Sequence, residues 1–130
     1  MINLKFIDPI EDNGVAKLTV HKSGKLGISK SAMKLLDITV NRYCKFAYDE
    51  NNNEKSKVLY MVMEKENDGK AYNISKAGEY YYIKAKNLLN ELNIDYTDTK
   101  TTIIFDIYPT DYNGTKIYKL NRRIINKSEI

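Results

Sequence analysis

The sequence predicts an α+β domain made of two tandem β-β-α-β-β repeats, on three observations. Apolar and polar residues alternate over several short stretches, which is typical of strands, and a leucine-rich stretch with helical spacing follows the second strand of each half. KSG at 22–24 matches KAG at 76–78. LDI at 36–38 matches LNI at 92–94. This similarity predicts a duplication whose units pack as an internal pseudo-dimer, with a mainly antiparallel sheet and two short helices.

The first repeat covers residues 15–65. VAKLTVHKSGKLGIS (15–29) predicts two strands around a Ser23-Gly24 turn, because apolar residues alternate with polar ones on both sides of it. KSAMKLLDI then predicts a short helix with a serine as its N-cap. YCKFAY (43–48) and KVLYMVMEK (57–65) predict the third and fourth strands, joined by the loop DENNNEKS.

The second repeat covers residues 70–121 and follows the same order. AYNISKAGEYYYIK predicts two strands around Ala77-Gly78, AKNLLNELNI predicts a helix, and TTIIFDIY and TKIYKL predict the last two strands. The Asn113-Gly114 step is typical of a tight hairpin turn. Residues 122–130 remain as a basic C-terminal tail, and the chain of 130 residues predicts a single domain.

Three consecutive tyrosines begin the second strand of the second repeat. Neighbouring strand residues point to opposite faces, so the run cannot form one flat stacking platform. The duplication aligns Tyr80 and Tyr82 with an apolar pair of the first repeat and predicts that they belong to the core. That pair is Leu26 and Ile28. Tyr81 is the tyrosine that we expect to be exposed.

Basic side chains concentrate near the start of the chain, although the net charge is only +4. Residues 14–48 contain seven lysines and arginines against one acid, Asp37. A localised basic face is typical of a protein that binds polyanions, and a solvated lysine surface is the alternative. The candidate nucleic-acid-binding residues are Lys17, Lys22, Lys25, Lys30, Lys34, Tyr81, Arg122 and Arg123.

The residues that carry most catalysis are scarce. His21 and Cys44 are the only histidine and cysteine, and they lie far apart in sequence. We therefore expect no enzyme activity, no metal, no cofactor and no small-molecule substrate. A single cysteine excludes an intramolecular disulfide, so a reducing cytoplasm is the expected compartment. No apolar run approaches the roughly 18 residues of a spanning helix, and the start MINLKFIDPIEDNG does not resemble a signal peptide, so we expect no membrane association.

The first repeat resembles the AbrB-like swapped-hairpin regulators, the family that includes the MazE-type antitoxins. The resemblance lies in KLTVHKSGKLGISKSAMKLLDI followed by CKFAYDE and KVLYMV. Its main points are the Gly24-Lys25 turn, the short strand that ends in Ile28, and the helix that closes on Leu36-Asp37-Ile38. Ser29 stands where the family usually has proline, and Glu79 stands at the second-repeat position that matches Lys25.

This resemblance implies a DNA-binding transcription regulator without enzyme activity. Lys22 and Lys25 would lie near the surface that contacts the DNA backbone, and DNA would be a better partner than RNA. The two repeats would replace the homodimer of single-unit members, giving either a monomer with an internal pseudo-dimer or a homodimer.

Two other function classes stay open. Repeated units of four strands and a helix resemble, in architecture alone, the Whirly and Pur-alpha families, which implies a protein that binds single-stranded nucleic acid through Tyr81 and nearby lysines. The third class is a small protein-interaction or phage accessory module. In that class the acidic N-terminal segment and DENNNEKS would contact a protein partner.

Overall fold

Eight strands and two short helices make up the computed structural model, which describes residues 1–5, 16–51 and 57–126. Most of the acidic N-terminal segment, part of DENNNEKS and the last four residues lie outside the described residues. The elements, in chain order, are β1 (Lys17–Val20), β2 (Lys25–Ile28), α1 (Lys30–Leu36), β3 (Tyr43–Ala47), β4 (Val58–Glu64), β5 (Tyr72–Ala77), β6 (Tyr80–Lys84), α2 (Lys86–Glu91), β7 (Thr101–Tyr112) and β8 (Thr115–Asn126).

The strands close into a single antiparallel barrel in the order β1-β2-β6-β5-β3-β4-β8-β7, in which β7 pairs with β1. The predicted α+β fold of two repeats packed as a pseudo-dimer is therefore wrong, and so is the α+β swapped-hairpin arrangement that the resemblance implied. Two-strand hairpins of the two halves alternate around the barrel: β2 pairs with β6, β5 with β3, and β4 with β8. Neither half has a complete sheet of its own to pack against the other.

The core fills the inside of this barrel with the apolar side of each strand. Leu18, Leu26, Ile83, Phe105 and Leu120 come from five different strands and are each at most 2% exposed. Burial of one such side chain stabilises the folded state by about 1.5–3 kcal/mol. Strand alternation sends the intervening residues, most of them polar, to the outer surface of the barrel.

Helix α1 begins where the sequence predicts a serine cap. The Ser29 Oγ accepts hydrogen bonds from the backbone N–H of Ala32 at 3.2 Å and of Lys17 at 3.0 Å. The first bond caps the helix and the second ties its start to β1. At the other end Asp37 takes a left-handed conformation and closes the helix over the buried Leu36.

The hairpin of β7 and β8 is longer than its neighbours. Both strands contain 12 residues, but β1 pairs with β7 only around Phe105, and β4 pairs with β8 only from Tyr118 to Asn121. The tip of the hairpin therefore extends beyond these pairings. Asn113 and Gly114 both have positive φ angles at the tip, which confirms the predicted tight turn.

Candidate nucleic-acid interface

The outward side of β2 and β6 carries two lysines next to each other. Lys25 lies opposite Lys84, and Gly27 lies opposite Tyr82. Like charges in opposite positions of a sheet repel each other. The Lys25 Nζ lies 4.6 Å from the centroid of the Tyr82 ring, and this cation–π contact offsets part of the repulsion. The strand pair thus presents two positive charges and an aromatic ring at one place.

A groove of about 390 Å³ adjoins this strand pair at the turn of the first hairpin. The Ala85 N–H donates to the carbonyl oxygen of Gly24 at 2.9 Å, so the turn is fixed against the start of α2 and Lys86 reaches the groove. Among the residues that the structure describes, no carboxylate lines this groove. Its lining consists of Ser23, Gly24, Lys25, Tyr72, Lys84, Lys86 and Asn87. Three ammonium groups around one concave surface favour an anion.

Each tyrosine of β6 faces the side of the sheet opposite to the one that the sequence predicts. Tyr81 lies opposite Ile28 and packs against the core, whereas Tyr80 is 77% exposed. Tyr82 alternates with Tyr81 and shares the outward side with Tyr80 and Lys84. The prediction that Tyr80 and Tyr82 are core and Tyr81 exposed is therefore wrong.

The physical reason is the length of the hairpin turns. Leu18 and Ile28 are an inward-facing pair in the β1–β2 hairpin, and Ile74 and Ile83 are the corresponding pair in the β5–β6 hairpin. Along the chain, one residue fewer lies between Ile74 and Ile83 than between Leu18 and Ile28. A difference of one residue moves every following side chain to the other face of a strand. The match of KSG with KAG aligns the two glycines but not the strands that follow them. The prediction was wrong because it assumed that the two turns have the same length.

We call Lys25, Lys84, Lys86, Tyr80 and Tyr82 the lysine–tyrosine face. Only Lys25 of this set is a predicted site residue. Lys84 and Lys86 come from the stretch YYYIKAK, and only the pairing of β2 with β6 brings them next to the first hairpin. Lysines at alternate positions where a strand ends are the signal that could have found them. Glu79, in the turn before Tyr80, is the one acid of the β5–β6 hairpin.

Four predicted lysines lie outside the groove. Lys22 is exposed in the turn between β1 and β2 and is the nearest of them in sequence to the lysine–tyrosine face. Lys17 points outward from β1 and lies opposite Asp106 on β7. Lys30 and Lys34 are exposed one turn apart on α1. The predicted basic set is thus spread over a strand, a turn and a helix.

The two predicted arginines lie in β8, which continues to residue 126 where the sequence predicts a tail. The Arg123 Nε donates to Asp106 Oδ2 at 2.8 Å and its Nη2 donates to Oδ1 at 3.1 Å. These hydrogen bonds, donated by Arg123 to the Asp106 carboxylate, raise the pKa of Arg123. The Nε–Nη2 edge of its guanidinium is therefore occupied by this carboxylate. Arg122 is half-buried, and its backbone N–H donates to the carbonyl oxygen of Lys57 at 2.9 Å.

Neither Cys44 nor His21 lines the groove. Cys44 is fully buried on β3, and burial raises the pKa of its thiol to about 12, so the nucleophilic thiolate is strongly disfavoured. The imidazole of His21 covers Gly27, in the space that a Cβ would occupy. Within residues 1–5, 16–51 and 57–126, no three histidine, cysteine or acidic side chains are grouped to hold a metal ion.

No family model, curated protein or solved structure matches this chain. None of the helices in the described part of the chain has the length and apolar character needed to cross a membrane.

Proposed function

We propose that the protein is a non-enzymatic nucleic-acid-binding protein and that the lysine–tyrosine face binds single strands better than duplexes. The observation that carries this proposal is the position of Lys25, which lies opposite Lys84 and over the ring of Tyr82. Proteins that bind single strands combine a basic groove for the phosphates with aromatic rings on which bases stack. The exposed ring of Tyr80 and the groove beside Lys86 supply both features.

Duplex DNA is the weaker candidate for this face. Lysines neutralise phosphates but carry little sequence information, whereas bidentate reading of guanine in the major groove needs an available guanidinium or a precisely placed amine. Arg123 is engaged by Asp106, and no arginine belongs to the lysine–tyrosine face. We therefore expect weak sequence preference. A reduced Cys44 suits the cytoplasm as the working compartment.

The first test measures the electrostatic contribution of the face. Fluorescence anisotropy follows the binding of a labelled 12-nucleotide single strand and of the corresponding duplex at several salt concentrations. For the Lys25→Ala, Lys84→Ala variant we expect weaker binding of the single strand. The slope of log affinity against log salt should also be less steep by about 1.4, since each phosphate contact contributes about 0.7 to its magnitude. The matched control is Lys30→Ala, Lys34→Ala, which removes the same charge from α1. Equal losses in both variants, or no binding by the native protein at low salt, contradict the proposal.

A second variant tests base stacking. Tyr80→Ala leaves the net charge and the Lys25–Tyr82 contact in place. We expect it to weaken single-strand binding by roughly 5- to 150-fold, because one stacked base is worth about 1–3 kcal/mol. Duplex binding should change little, since paired bases are not free to stack on a side chain. A variant that loses duplex and single-strand affinity to the same extent shows that Tyr80 does not select single strands.

A further inference from the structure

A second concave surface lies at the β7–β8 hairpin and has the opposite charge. It encloses about 690 Å³ between the tip of this hairpin and the outer side of β3 and β4. Three tyrosines from three elements line it: Tyr48 follows β3, Tyr60 points outward from β4, and Tyr112 ends β7. Tyr48 is 50% exposed and Tyr112 is 65% exposed. We call this surface, with the carboxylates described next, the tyrosine–carboxylate cleft.

The carboxylates of the cleft come from both of its walls. Asp49 and Glu50 follow β3, and Asp111 lies on β7. Lys116 lies opposite Asp111 in the hairpin and balances part of its charge, so Asp49 and Glu50 contribute most of the negative field. Within the described residues, no lysine, arginine or histidine lines the cleft.

The floor between these walls is apolar. Val62 and Ile117 line it together with Ala47, which lies opposite Tyr60 in the β3–β4 pair. Ile117 is 7% exposed, so the hairpin is packed against this side of the barrel at the cleft. An aliphatic stem suits such a floor, and a cationic head suits the tyrosine rings and carboxylates around it.

We propose that the tyrosine–carboxylate cleft binds an arginine-containing basic segment of a protein partner. The argument is charge complementarity combined with ring chemistry: a guanidinium group can stack on a tyrosine face and form a bidentate ion pair with a carboxylate in the same site. Nucleic acid is disfavoured here because Asp49, Glu50 and Asp111 repel phosphates. The cleft and the lysine–tyrosine face lie on different strands, so this inference does not depend on the proposed nucleic-acid binding.

The test uses a fluorescein-labelled peptide of alternating arginine and glycine, with a peptide of citrulline and glycine as its neutral control. Anisotropy titration of the full chain should show binding of the arginine peptide and at least tenfold weaker binding of the citrulline peptide. We expect Tyr112→Ala to weaken binding about 2- to 30-fold, the range of a cation–π contact. Tyr80→Ala removes an exposed tyrosine from another face and should leave peptide affinity unchanged.

A charge-matched pair of variants separates a site from general attraction to acidic surface. Asp49→Asn, Glu50→Gln removes two charges from the cleft, and Glu66→Gln, Glu91→Gln removes two exposed charges elsewhere. Only the first variant should lose peptide binding, with circular dichroism confirming that both are folded. Equal losses in the two variants, equal binding of the citrulline peptide, or no loss with Tyr112→Ala overturns the proposal. Self-association of the free protein that the cleft variant abolishes would identify a second copy as the occupant and also overturn it.

Discussion

Cys44 shows how the inside of the barrel determines the chemistry of one residue. It lies on β3 opposite Met63 on one side and Tyr72 on the other, and no part of it is exposed. The thiol is therefore enclosed by neighbours from two adjacent strands. Burial raises the pKa of Cys44, and it is also the largest cause of the raised pKa of Tyr72. An apolar interior disfavours the charged form of both groups.

This burial predicts a loss of stability at alkaline pH. The pKa of the folded thiol is about 12 against its ordinary value of 9.0, so the folded state holds the proton more tightly and stability falls as the pH rises above 9. We expect the thiol to cost about 1.4 kcal/mol of unfolding free energy at pH 10 relative to pH 8. Urea unfolding at both pH values measures it. Cys44→Ala is the control, and an identical pH dependence in that variant would contradict the assignment.

Among the individual residues of the candidate site, some could be predicted from the sequence and others could not, for a physical reason. Lys25 could be predicted because local alternation shows that it belongs to an outward strand position next to a turn. Lys84 also stands at the end of a predicted strand, but its place beside Lys25 depends on a pairing between residues 59 positions apart in sequence, which local alternation does not show. Tyr81 was placed on the wrong side because one residue in a turn decides the face of a whole strand.

At the scale of elements, the positions of strands and helices followed from local patterns. Period-two alternation identified the eight strand regions, and a serine cap at Ser29 or Ser31 with the apolar stripe of Ala32, Leu35 and Leu36 identified α1. The extent of β7 and β8 did not follow. Residues 109–112 of β7 and 121–126 of β8 mix polar residues with apolar ones such as the exposed Ile124, and they are held by pairing across the hairpin. Pairing of this kind leaves no period in the apolar residues of either strand.

The turn of the first hairpin gives a prediction at this scale. Gly24 has a φ of +84°, and a Cβ there would collide with the side chain of Lys86. We expect Gly24→Ala to reduce the free energy of unfolding by about 1–2 kcal/mol, since it adds backbone strain and displaces Lys86. The same substitution at Gly27 meets only the imidazole of the exposed His21, which can turn away, so its cost should stay within about 0.5 kcal/mol.

Urea unfolding of the two glycine variants compares these costs directly. Both substitutions add one methyl group to the same hairpin, so each serves as the control for the other. Gly24→Ala should also weaken single-strand binding at the groove, where Gly27→Ala should not. Equal midpoints for the two variants would show that the left-handed turn and the contact with Lys86 have little effect on stability.

For the whole molecule, closure of the barrel is the feature that local patterns could not predict. Alternation shows which residues face inward, but an open sheet, two stacked units and a closed barrel share the same alternation. Of the eight strand pairings around the barrel, the four that join β2 to β6, β5 to β3, β4 to β8 and β7 to β1 connect the two halves of the chain. The order around the barrel is unchanged when β1 to β4 exchange places with β5 to β8. Each half of the chain therefore relies to the same extent on strand pairing with the other half.

This dependence predicts a single cooperative unfolding transition. Because every strand has a partner from the other half, loss of β5 to β8 would expose both edges of the β3–β4 hairpin and the Cys44 side chain between them. Cys44 should therefore become accessible to a thiol reagent only when the whole barrel unfolds. We expect pulse labelling of Cys44 and the far-ultraviolet dichroism of the strands to change at the same urea concentration, in one transition.

Two separately packed units would behave differently. Labelling of Cys44 at a urea concentration that leaves the sheet signal intact would show that the first half opens alone, and would contradict a barrel held together by pairings between the halves.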